Sequence, residues 1–210
     1  MSTPRIRRRR RRGGYTMIEV MMALGVLTAG AVGIMAMQAA ATRGNLEARR
    51  MTTASQLAQR WVERLRRDAV QWRSGSPTVN PVLMNDTDYL RLTTAPGGSP
   101  SWFVPTPPAT SGETANFDHY GRDLTAGATP HYCTNIRLAW LYPGRAIRAD
   151  VRVWYLRRST GTQADPTSSG RAALAGCAPG VDPNTLTGDF RIRAAHASTV
   201  LRYVPPPPTN

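Results

Sequence analysis

The chain has 210 residues, 27 arginines, no lysine and 13 acids, so its formal charge of +14 rests entirely on guanidinium groups. That length is one ordinary domain, and the missing lysine excludes a phosphate-binding glycine loop with its Lys. Arg5 and residues 7–12 hold seven of the arginines, leaving 20 against 13 acids, or +7, for the rest; a basic balance that usually points to nucleic acid is here half accounted for by a short segment beside an apolar stretch, which argues against a purely cytosolic protein.

Residues 20–37 are 18 consecutive positions without a charge, rich in Met, Val, Ala and Leu, the lower edge of what crosses a bilayer as a helix. Positive charge ahead of it keeps that end in the cytoplasm and sends the body outside, where a disulfide persists. As an ordinary secretory signal the apolar run is long and lacks a clean small-x-small cleavage site, with Ala39, Ala40 and Ala41 as the alternative place for a cut. Upstream, Gly13-Gly14-Tyr15-Thr16-Met17-Ile18-Glu19-Val20 joins the basic leader to the helix. A lone carboxylate in a lipid-facing helix costs roughly 2.5 to 3.5 kcal/mol, and such residues are usually functional with a nameable partner. Glu19 therefore needs one.

Basic leader, Gly14, aromatic Tyr15, Thr16, two aliphatics and Glu19 together resemble the N-terminal signature of the type IV pilins and the related type II secretion pseudopilins. The resemblance implies that a membrane prepilin peptidase cuts after Gly14 and methylates the new amino terminus of Tyr15, and that the helix is retained. It implies for Glu19 a pairing with the terminal ammonium of a neighbouring subunit, where low dielectric makes an unpaired charge expensive and a matched pair tolerable. Thr16 and Glu19 are thus the assembly residues, and the expected partners are prepilin peptidase, other major and minor pilins, the inner-membrane assembly platform, and membrane lipid before assembly. A plain signal anchor explains the arginines and the apolar run but not Glu19. The chain lacks the mid-helix proline of many major pilins. Residues 30–38, Gln56-Leu57-Ala58 and Glu63-Arg64-Leu65-Arg66 are similar to the PilV-type minor pilins and minor pseudopilins, over roughly residues 13–70.

Met51, Ala54, Leu57, Ala58, Trp61, Val62, Leu65 and Ala69 continue at three- and four-residue steps, with Arg49, Arg50, Arg60, Arg64, Arg66 and Arg67 mostly elsewhere on the wheel. No proline falls between Pro4 and Pro77, so one helix is predicted from about Thr16 to about Trp72, on the order of 85 Å at 1.5 Å per residue. Gly25, Gly30 and Gly33 allow helices to approach closely, although Gly is also common in membrane segments.

The predicted organisation is a cleaved leader over 1–14, a membrane or filament-core helix over 15–41, an amphipathic helix over 42–73, a Pro/Gly/Ser/Thr-rich connection over 74–118 with a short strand or turn around Tyr89 to Thr93 and otherwise surface loop, a sheet domain over 119–204 and a proline-rich tail over 205–210. Residues 135–142 and the alternating Ile147, Ala149, Val151, Val153 and Tyr155 form a predicted hairpin around Pro143-Gly144, and 190–204 a third strand. The fold class is α+β, pilin-like: a long N-terminal helix whose second half packs on a small antiparallel sheet, with charged residues on the sheet's other face. A Cys133–Cys177 bridge would close a loop of about 45 residues, worth roughly 4 kcal/mol in the chain-entropy model; two free buried thiols are the alternative. Many pilins resemble this placement with a disulfide-bounded C-terminal loop.

His119, His131 and His196 are dispersed, with no nucleophile triad or paired carboxylate, so a non-enzymatic protein without cofactor is expected. His131 with Cys133 gives two metal ligands at most. Asp182, Asn184 and Asp189 offer oxygens without EF-hand spacing and are also ordinary turn residues; no metal site is expected. Arg145, Arg148, Arg152, Arg157 and Arg158 with Trp154 and Tyr155 form a conceivable strip for nucleic acid, against the simpler reading of a solvated sheet face.

Overall fold

The structure, a computed structural model, describes residues 14–72, 84, 87–108, 111–124, 130–156, 174 and 192–203. The chain divides into two compact units, Met1–Leu46 and Glu47–Asn210. Helix α1, Met17–Val70, is 54 residues long, within two residues of the predicted bounds at each end.

In the first unit residues 20–37 of α1 carry no charge on any side and their large apolar side chains are exposed: Val26 is 75% accessible and Met37 76%. A helix apolar all round has no stable place in water. Among the described residues α1 is the one helix long and apolar enough to cross a membrane. A Cβ added at Gly25, Gly30 or Gly33 would meet nothing within 4 Å among the described residues.

In the second unit four strands, β1 (Asn116–Phe117), β2 (Tyr132–Tyr142), β3 (Ala146–Leu156) and β4 (Ile192–Arg202), form an antiparallel meander in that order. Pro143 and Gly144 turn the β2–β3 hairpin, Gly144 at φ 72°, with Arg145 N–H donating to the Tyr142 carbonyl at 3.0 Å. The predicted hairpin and third strand are these elements. Ile147, Ala149, Val151, Val153 and Tyr155 all point to one face and bury against Leu57, Ala58, Trp61 and Leu65 of α1, as the period-2 and period-3.6 patterns require. Trp61 and Tyr89 meet edge to face at 5.5 Å, and Trp72, Trp140 and Tyr203 close the distal end of the core at 5.8 and 5.9 Å.

The connection read as irregular contributes more than loop. The turn expected around Tyr89 to Thr93 is a 3-10 turn at Leu90–Leu92, and the connection also carries strand β1 and Phe103, which exchanges two 2.9 Å backbone bonds with Ile136. These pairings were illegible locally because two-residue strands and single bridges have no periodicity.

Two readings are corrected. Arg64 does not lie outside: it is 2% exposed, stacked 4.6 Å over the Trp61 ring and paired with Glu113 and Asp123 at 3.1 Å each. The sheet's second face is not a solvated charged surface either. Asp150, Arg152 and Trp154 are 5%, 4% and 6% exposed, since Trp102 and Trp154 lie 4.0 and 4.9 Å from the Arg152 guanidinium and Trp154 packs with Cys133, Leu174 and Ile192.

Candidate processing and assembly site

Gly14, Tyr15 and Thr16 are non-helical and exposed, with Tyr15 84% accessible. A Cβ on Gly14 would meet nothing within 4 Å among the described residues. The helix starts where it does because Thr16 caps it: its carbonyl accepts the N–H groups of Glu19 and Val20 at 3.1 and 3.2 Å, and its hydroxyl accepts Glu19 N–H at 3.4 Å. Thr-x-x-Glu is the capping-box spacing, a signal present in the sequence and not used there. Glu19 lies in the first helical turn, where a carboxylate also opposes the positive end of the helix dipole. Its side chain is exposed, facing outward from the chain that carries it.

The body hangs on the second half of α1 through three sets of polar contacts. Asp68 accepts the backbone N–H groups of Asp88 at 2.6 Å and of Tyr89 and Leu90 at 2.9 Å; burial pushes its carboxyl above the usual carboxylate range, against the lowering effect of those three bonds. Arg60, Arg64 and Arg67 hold Asp123 and Glu113, with Arg60 to Asp123 at 2.6 Å and Arg67 to Glu113 at 3.3 Å. Asp123 in turn takes Thr114 N–H at 2.9 Å. Arg50 donates to the Leu156 carbonyl at 3.1 Å and Arg66 to the Thr199 hydroxyl at 3.4 Å.

On the second face of the sheet Asp150 accepts from Arg137 at 2.8 Å, Arg148 at 2.9 Å and Ser198 at 2.7 Å. Burial raises its carboxyl, but those three donors outweigh it and hold Asp150 below the usual range. In the strip read from sequence as a conceivable nucleic-acid surface, Arg148 shares the single Asp150 carboxylate with Arg137 and stays exposed, Arg145 is exposed, Arg152 is buried, and Arg157 and Arg158 lie outside the described residues.

His119 and His131 come together, ring centroids 5.4 Å apart, with the Tyr120 ring tilted against His119 at 3.7 Å. Nothing in their spacing joins them; β1–β2 pairing does, through His131 N–H to the Phe117 carbonyl at 2.9 Å. His196 is on β4. Cys133 is fully buried and no described cysteine is a free thiol, which removes it as a metal ligand beside His131. Cys177, Asp182, Asn184 and Asp189 lie outside the described residues.

Residues 9–35 match the family model described as the prokaryotic N-terminal methylation motif. The chain thus carries the N-terminal signature of a type IV pilin-like or pseudopilin-like precursor, a segment processed by prepilin peptidase and built for assembly with like subunits. The match spans the end of the leader, Gly14, Tyr15, Thr16, Glu19 and the first part of the exposed apolar helix, and stops before the body. No curated protein and no solved structure matches the chain.

Proposed function

We propose that the chain is a minor type IV pilin of the PilV kind, a structural and non-enzymatic subunit. In this reading it is stored in the inner membrane with its leader in the cytoplasm and its body in the periplasm. Prepilin peptidase cuts after Gly14 and methylates Tyr15, and the inner-membrane platform assembles the mature chain with major and minor pilins, into or at the tip of a pilus that serves adhesion or motility. The observation that carries it is the division of one helix: α1 is exposed and apolar around its first half, under the methylation motif, while Ala54, Leu57, Ala58, Trp61 and Leu65 of its second half are committed to the sheet. Such a first half is at home only in lipid or against like helices. Glu19, exposed in the first turn, pairs there with the methylated terminal ammonium of the next subunit. In the oxidising compartment the body is closed by a bridge from Cys133 to Cys177, the chain's other cysteine.

The same motif and helix fit a minor pseudopilin of a type II secretion system, the alternative reading, which genomic neighbours separate: a retraction ATPase and minor pilins in one case, a secretin and secretion ATPase in the other. A DNA-uptake pilin is less well supported, because Arg148 and Arg152 are engaged within the sheet.

Intact mass and N-terminal sequencing with and without prepilin peptidase test the proposal. The expected product begins at N-methylated Tyr15 only when the peptidase is present. A retained leader, or a cut near Ala41, overturns it in favour of a signal-anchored or secreted protein.

A further inference from the structure

The two edges of the sheet are unlike. The outer edge of β2 is covered: Thr134 N–H donates to the Ala115 carbonyl, and Ile136 exchanges both its backbone bonds with Phe103, each at 2.9 Å. Strand β4, at the other edge, has no partner on its outer side among the described residues. Its register against β3 runs unbroken from Ile192 opposite Leu156 to Arg202 opposite Ala146, and Tyr203 N–H donates to the Arg145 carbonyl at 3.0 Å. In an antiparallel ladder hydrogen-bonded and non-bonded pairs alternate, so odd-numbered residues of β4 bond to β3. Ala194, His196, Ser198 and Val200 therefore turn their N–H and C=O groups outward, a row of donors and acceptors without a partner among the described residues.

Natural edges are usually blunted by proline, a bulge, shortness or inward charge. Here 11 residues run without proline or bulge, and residues 194–200 carry no Asp, Glu, Lys or Arg. Arg193 and Arg202 stand at the two ends, both exposed, and no acid occurs in the strand.

The geometry points to β4 as the site where an extended, acidic segment of a different subunit adds as a fifth strand. Backbone groups supply the affinity in strand addition, and side-chain placement the specificity; carboxylates near the ends of the incoming strand would meet Arg193 and Arg202. A second copy of this chain does not fit. Strand β4 runs along α1, because its start pairs with Leu156, which Arg50 reaches at 3.1 Å, and its end leads to Tyr203, which packs on Trp72. A two-fold antiparallel β4–β4 pair would put the two Glu47 ends at opposite ends of the assembly, away from one shared membrane. Parallel pairing of identical edges fails on register, since a parallel ladder bonds each residue to the two flanking its opposite number, whereas symmetry sets the outward residues level. The inference rests on the proposed pilin reading and names the body surface by which the subunit docks.

Hydrogen exchange with residue-level fragmentation, on the full chain in detergent and in filaments, is the test. The amides of Ala194, His196, Ser198 and Val200 should slow at least tenfold on assembly while those of Ala195 and Ala197, already in the β3 ladder, change little. Equal rates in filament and detergent overturn the inference, as does protection already present in a detergent dimer, which would make the occupant a second copy. His196→Pro deletes one outward N–H without touching the inner ladder; it should fold and be processed normally but enter filaments at least tenfold less well, whereas Ala197→Pro should lower thermal stability. Normal incorporation of His196→Pro overturns the inference alone. A wild-type chain that is neither cleaved after Gly14 nor incorporated overturns the pilin reading and the inference with it.

Discussion

Asp68 accepts the Leu90 backbone N–H at 2.9 Å across 22 positions of sequence, and with its two oxygens also takes those of Asp88 and Tyr89. One carboxylate in the last turns of α1 thus caps the 3-10 turn at Leu90–Leu92 in the connecting region. Asp68→Ala leaves three donors without acceptor in a largely buried position and should cost about 2 to 4 kcal/mol of unfolding free energy, measured by denaturant titration; a loss under about 0.5 kcal/mol would show that the turn does not depend on it. The carboxyl's folded value is raised above 3.8. Its titration therefore favours folding most below 3.8, and that contribution fades as pH rises through the folded value.

Arg64 and Arg60 touch the same Asp123, but only Arg64 is buried. Removing one member of a buried pair strands the other, at about 3 to 5 kcal/mol, while an exposed pair is worth about 0 to 1 kcal/mol. Arg64→Ala should accordingly destabilise the body severely and Arg60→Ala hardly at all, in parallel thermal melts. Arg64→Lys should not rescue, because a single ammonium replaces a guanidinium that reaches Glu113, Asp123 and the Thr114 carbonyl together. Equal effects of Arg60→Ala and Arg64→Ala would refute the assignment.

Asp150 lies between Arg137, Arg148 and Ser198, and its folded carboxyl is lowered below 3.8. Its contribution is present above 3.8 and is lost as pH falls through the folded value. Unfolding free energy measured from pH 5 downward should drop less steeply in Asp150→Asn than in wild type. Identical slopes would mean that the three donors do not favour the charged form.

A Cys133–Cys177 bridge should make the oxidised chain two hydrogens lighter than the reduced one by intact mass, and reduction should lower stability by up to about 4 kcal/mol. Two alkylatable thiols in protein purified from the periplasm would instead establish free cysteines.

Glu19→Ala should leave cleavage after Gly14 intact and reduce incorporation into filaments at least tenfold, read by mass spectrometry of the membrane and filament fractions. Thr16→Val should shorten the ordered start of α1, since the cap is lost, at about 1 kcal/mol. Normal assembly of Glu19→Ala would leave Glu19 with a local role only, as partner of Thr16 in the cap.

The sequence by itself determined the elements whose causes are local. An unbroken pattern without proline specified α1 to within two residues at each end, alternation specified β3 and its buried face, Pro143-Gly144 specified the turn, and the Gly14 to Glu19 run specified the processing signature. These follow from period, turn chemistry and motif, all of which are read along the chain. The tertiary structure decided everything that depends on distant partners. Arg64 and Arg152 are charges that a helical wheel and a strand pattern place in solvent; Glu113 and Asp123 in one case and the rings of Trp102 and Trp154 in the other make their burial tolerable, because a desolvated guanidinium needs counter-charge or a π face. Phe103, β1 and the three N–H groups held by Asp68 are likewise invisible locally, since their hydrogen bonds cross gaps of tens of residues. For the same reason only the sheet order could show that one edge is closed by Phe103 and Ala115 while the outward groups of β4 stand unpaired among the described residues.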